Sequence, residues 1–142
     1  HIGRFIDFLS SFYAVPFITK WEMDRTVNAA QETLRQRGIL CFYLDQRAGN
    51  GVPTRLFGRP ALSPVGAALF ARRYRAPVVG LFTARTASGR HRIVVEGPYD
   101  CAPSGDPSAD LRRHTAFFME RVEARVREHP EQWMTWFTRL FR

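Results

Sequence analysis

Residues 39–44, Ile-Leu-Cys-Phe-Tyr-Leu, run without a single charged or strongly polar side chain. A strand with one wet face alternates polar and apolar residues, and a surface helix repeats at about 3.6, so neither pattern fits. Six apolar residues rich in aromatic and branched side chains read as a strand covered on both faces, which demands a layer of structure above and below it. The flanking sequence supplies candidates for those layers. From Asp24 to Arg37 the chain reads as an amphipathic helix, with Val27, Ala30 and Leu34 on one face and Gly38 as its stop. Ser63-Pro64 offers a cap and first residue for a helix reaching Tyr74, and a long helix is expected from about Ser108 to Glu128, with a short one starting at Pro130.

Further strands are expected at 14–19, 76–85 and 91–96, and a short helix at 4–13 with Phe5, Phe8, Leu9 and Phe12 on one face. The Ser88-Gly89 turn allows 91–96 to pair antiparallel with 76–85. Helices alternating with apolar strands predict an α/β fold, a mainly parallel central sheet with helices on both faces, in a single partial domain over 1–142 that is incomplete at its N-terminal side. Residues 45–60, DQRAGNGVPTRLFGRP, read as a connection longer than most, and long connections in compact domains are usually functional.

Composition narrows the partners. Lysine plus arginine number 21 against 13 acidic residues, a formal charge of +8, and Lys20 is the single lysine. That field favours anionic partners, and arginine binds phosphate in a bidentate fork, although an arginine bias can equally follow from genome composition. No apolar stretch reaches the ~20 residues needed to span a bilayer. Nucleic acid is not expected, because no helix-turn-helix, ribonucleoprotein or zinc pattern accompanies the charge. Cys41 and Cys101 make neither a disulfide framework nor a metal site, and Cys41 reads as a buried small hydrophobe.

Three blocks carry a resemblance. RGILCFYLDQRAGNGV (37–52), LFGRPALSPVGAALFARRYRAPVV (56–79) and HPEQWMTWFTRLFR (129–142) are similar, in order and at about the same spacing, to blocks of the bacterial lipid A biosynthesis (lauroyl/myristoyl) acyltransferases, a branch of the glycerophospholipid acyltransferase superfamily. The resemblance implies a glycerolphosphate acyltransferase-like fold at the cytoplasmic face of the bacterial inner membrane. It implies transfer of a fatty acyl chain from acyl carrier protein onto a hydroxyl of a phosphorylated glycolipid. No cofactor or metal is implied. In that family the base is a histidine in His-x-x-x-x-Asp/Glu, its carboxylate orienting the ring.

That dyad is not found here. His1 begins His-Ile-Gly, but Ile6 stands at the acidic position and Asp7 is one residue late. His91 and Glu96 have the spacing, yet on a strand an odd separation sends them to opposite faces. His114 reads as a helix-surface residue and His129 as punctuation before Pro130. The chain therefore reads as a fragment or degenerate copy, and a non-enzymatic basic module binding anionic membranes is the alternative.

The resemblance marks candidate substrate-binding residues. Asp45 and Gln46 follow the 39–44 run; Asp45 would bond a sugar hydroxyl or, equally, organise its own loop. Gly58 allows close backbone approach, and Arg59 would pair with a phosphate or simply lie on the surface beside a rigid turn. Arg85 is a further candidate of the same kind. Arg72, Arg73 and Arg75 read as a solvated helix face, with a membrane or carrier-protein contact as the other reading. Trp133, Trp136, Phe137 and Phe141 interleave with Arg139 and Arg142 as at a membrane interface, or pack on the core.

Overall fold

The computed structural model describes residues 23–46 and 48–134. His1, the helix expected at 4–13, the strand expected at 14–19 and the aromatic stretch beyond Met134 lie outside the described residues. The chain forms two compact units, His1–Leu40 and Cys41–Arg142.

In the first unit, helix α1 spans Met23–Arg35. Ala30 is buried while Val27 and Leu34 are half-buried, the face that the sequence spacing picks out. The helix ends on a 6→1 bond from the Gly38 N–H to the Thr33 carbonyl, 2.8 Å, and the left-handed residue is Arg37 (φ 59°), not Gly38. Gly38 is needed for a different reason: a Cβ there would sit 2.9 Å from the Thr33 carbonyl oxygen.

The second unit is mixed α/β. Strands β1 (Val52–Leu56) and β2 (Arg59–Ser63) form one antiparallel hairpin, and β3 (Val78–Arg85) and β4 (His91–Tyr99) form another. Helix α2 (Gly66–Tyr74) lies between the hairpins in sequence; helix α3 (Pro107–Glu128) and a 3₁₀ turn (Pro130–Gln132) follow. Among the described residues both sheets are therefore antiparallel, not the mainly parallel sheet expected. The reason is legible afterwards in the 45–60 stretch. Thr54, Leu56, Ala61 and Ser63 are buried at alternate positions, so most of the supposed loop folds back on itself and buries one face.

The 39–44 run also departs from its expected form. It takes no strand partner among the described residues, and Ile39 is 87% and Tyr43 68% exposed. Cys41 is exposed as well, so it is not the buried hydrophobe its neighbours suggested. Only the end of the run is held: Phe42 stacks on Phe70 at 5.9 Å, and Leu44 packs against both apolar clusters.

Helix α3 organises those clusters. Asp106 caps it, accepting from the N–H groups of Ser108 and Ala109, and Pro107 occupies its first turn. Met119 and Val126 meet Leu56, Ala61 and Trp133. Phe118 meets Ala67, Ala68 and Ala71 of α2 together with Cys101. The three alanines let α2 approach α3 closely, as small residues do. Helix α2 starts at Gly66 with no side-chain cap, because Ser63 belongs to β2 and its hydroxyl meets that of Thr54 at 2.6 Å in the interior. Burying a side chain such as Leu56 or Met119 contributes roughly 1.5–3 kcal/mol.

Candidate functional site

Leu56 and Arg59 face each other across the first hairpin, leaving Phe57 and Gly58 as a two-residue turn. Both have positive φ, 51° and 74°, the geometry whose twist matches that of paired strands. Gly58 adopts it freely, and a Cβ there would meet nothing within 4 Å. Phe57 does not: a left-handed backbone costs a residue with a side chain about 1–2 kcal/mol. Contacts from two other elements hold it. Its N–H donates to Glu123 Oε2 at 2.6 Å, its ring lies 5.4 Å from Trp133, and the Arg127 guanidinium lies 5.3 Å from the ring centre. Arg127 in turn donates to Glu123 Oε1 at 2.7 Å. Burial pushes the Glu123 carboxyl up, but the Phe57 N–H and Arg127 outweigh it and the group titrates below its ordinary value.

Trp133 ties the turn to the remaining blocks. Its indole N–H donates to Asp45 Oδ2 at 3.1 Å. The residue before it, Gln132, accepts the Arg85 N–H at 2.6 Å and donates to the Arg85 carbonyl at 2.9 Å. One amide side chain thus pairs with the last residue of β3 as a neighbouring strand would. Asp45, the Phe57–Gly58 turn and Arg85 are in this way all joined to the segment 132–133. Gln46 is exposed, and Arg59 is exposed at the head of β2.

Beside this segment lies an open depression of about 710 Å³, lined among others by Ala84, Arg85, Thr86, Arg92, His129 and Gln132. Arg92 faces Ala84 across the hairpin, so strand alternation sends the Arg85 and Arg92 side chains to opposite faces. They do not form a two-arginine fork.

Two further carboxylates, Asp110 and Glu96, sit in structural networks. Asp110 is fully buried and accepts from Arg72 Nε (2.8 Å), the Ser104 hydroxyl (2.6 Å), the Ser104 N–H (2.9 Å) and Arg113 (2.9 Å). Those partners, Arg72 foremost and then Ser104, hold its carboxyl well below the usual carboxylate range. Arg72 therefore belongs to the interior network rather than to the solvated face expected for it. Glu96 accepts from the Tyr99 hydroxyl and from Arg125, with Arg121 3.6 Å away, and the first two hold its pKa low.

Among the described residues no histidine forms the dyad. His91 is exposed, and Glu96 is taken up by Tyr99 and the α3 arginines. His114 is buried, not on the helix surface as expected, with Nε2 3.3 Å from Arg113. His129 ends α3, its Nδ1 3.6 Å from Glu131. The reading of the sequence missed Glu123, Arg127 and Asp110. Glu123 and Arg127 stand four apart on a helix, a spacing that normally marks a surface ion pair, and nothing in it points to residue 57.

Comparison with known proteins adds one finding. A family model described as bacterial lipid A biosynthesis acyltransferase matches residues 20–142. No curated protein and no solved structure matches the chain.

Proposed function

Because the chain belongs to the bacterial lipid A biosynthesis acyltransferase family, we propose that it serves transfer of a fatty acyl chain from acyl carrier protein to a hydroxyl of a phosphorylated glycolipid. Its part is to hold the acceptor at the cytoplasmic face of the inner membrane. The observation that carries this reading is the convergence of Asp45, the Phe57–Gly58 turn and Arg85 on Gln132 and Trp133. Residues from all three matched blocks meet in one place.

In this reading Gly58 lets the headgroup approach the turn, Arg59 offers its guanidinium group to phosphate, Arg85 joins the site through its main chain, and Asp45 orients a sugar hydroxyl. Gln46 fixes the loop beside it. The apolar run 39–44, which takes no strand partner among the described residues, is the segment that would join a parallel sheet in the family's domain. Acyl transfer also needs a base to take the hydroxyl proton. His91, His114 and His129 lack the required carboxylate geometry, and the candidate His1 has Ile6 at the acidic position, so this chain alone is expected to release no thioester. Incubating it with acyl carrier protein thioester and glycolipid acceptor, and following free thiol, tests that. Sustained turnover would overturn the assignment of a purely positioning role.

A second reading, a basic module on anionic membranes, is favoured by one face of the β3–β4 hairpin. Val79, Leu81, Ile93 and Val95 are each at least half exposed there, and Arg85, Arg90 and His91 cluster at its turn end. No helix among the described residues is long and apolar enough to cross a membrane. Co-sedimentation with anionic and neutral vesicles separates the readings. Binding that ignores lipid charge and salt would sink the second.

A further inference from the structure

We propose that Glu123 is the positioning residue of the headgroup turn, fixing where Phe57, Gly58 and Arg59 stand relative to Asp45. This rests on the acceptor-binding reading of that turn. The N–H of the first residue in a two-residue hairpin turn has no partner in the strand ladder and ordinarily meets water. Here a carboxylate on α3, 66 residues away in sequence, captures it at 2.6 Å. Of the two turn residues, the captured one is also the one whose side chain disfavours the left-handed backbone: Phe57, at φ 51°. Arg127 holds the carboxylate from the next helical turn and lies 5.3 Å from the Phe57 ring centre. Trp133 meets the same ring and bonds Asp45.

The geometry is that of a jig. Glu123 sets the height of the turn over α3, and Trp133 sets its distance from Asp45. Arg59 is two residues from the captured amide and opens β2 opposite Leu56, so a shift of the turn is passed to it directly along the chain. A charge-assisted bond from a fixed helix is a stiff restraint, and loose positioning of a binding group costs affinity even when every group remains present.

The test uses two variants of the full chain. Glu123→Gln keeps a carbonyl oxygen for the Phe57 N–H, whereas Glu123→Ala removes it. Binding is measured to vesicles carrying a phosphorylated glycolipid and to the same vesicles carrying its dephosphorylated form, and amide hydrogen exchange is followed at Phe57. The phosphate-dependent gain in affinity is expected to survive within about three-fold in E123Q and to fall by roughly ten-fold in E123A. Phe57 exchange should be slow in the parent chain and E123Q and fast in E123A. If E123A exchanges fast at Phe57 yet keeps the full phosphate-dependent gain, the positioning role is wrong while the turn still binds headgroups. If the parent chain itself shows no gain from the phosphate, the acceptor-binding reading falls and this assignment falls with it.

Discussion

Arg37 and Arg75 end helices α1 and α2 in a backbone conformation that suits glycine, with φ of 59° and 49°. Each is followed by a 6→1 bond, Gly38 to Thr33 and Ala76 to Ala71, so the left-handed residue is built into the stop. Arg75→Gly is expected to stabilise the chain by about 0.5–1 kcal/mol, relief of the left-handed penalty being partly offset by a freer unfolded chain. Urea unfolding with an unchanged slope is the check. Asp110 makes the opposite case. Its folded pKa lies below the unfolded value of about 3.9, so the stability it contributes is present above that value and is lost as pH falls through the folded one. Glu96 and Glu123 are shifted the same way. Tm should be flat from neutral pH down to about 5 and drop below it, whereas Asp110→Asn lowers the neutral Tm by roughly 10 °C and flattens the acid limb. Neither feature was legible beforehand. A helix-start aspartate reads as a partner of the helix dipole, and only the fold brings Arg72 and Ser104 around it.

Elements divide by how local their cause is. The β3–β4 hairpin was legible because its turn, its alternation and its partner all sit within a short stretch. Helix α3 was legible to within a residue, expected from about Ser108 to Glu128 and found from Pro107 to Glu128. The β1–β2 hairpin was not, since Gly and Pro residues around two short apolar pairs look like a loop until they are folded on α3. Inside that hairpin, the buried Thr54 and Ser63 hydroxyls satisfy one another at 2.6 Å. Ser63→Ala alone is expected to cost about 1–3 kcal/mol by stranding the Thr54 hydroxyl, while Thr54→Val with Ser63→Ala together costs much less than the sum of the single changes. Denaturant unfolding of the four proteins measures that coupling.

At the scale of the molecule, charge, family and the mixed α/β class were readable from sequence, while the described residues form antiparallel hairpins rather than a parallel sheet. The run 39–44 was too apolar to look like anything but a covered strand, yet its cover is not supplied among the described residues. The outer face of β3–β4 shares that condition, with Leu81 65% and Ile93 63% exposed. Contiguous apolar faces of this kind drive association. Leu81→Lys with Ile93→Lys is expected to suppress self-association in sedimentation velocity while moving Tm by no more than a few degrees, since neither side chain supports the core.

Gln132 carries a consequence for that same sheet. By answering both the N–H and the carbonyl of Arg85, it stands where the next strand's backbone would otherwise continue. Among the described residues no strand lies along the other edge of β3, and a polypeptide pairing there meets a doorstop at Arg85. It must halt short of Arg85, in a single alignment, or prise the amide away before it can slide further.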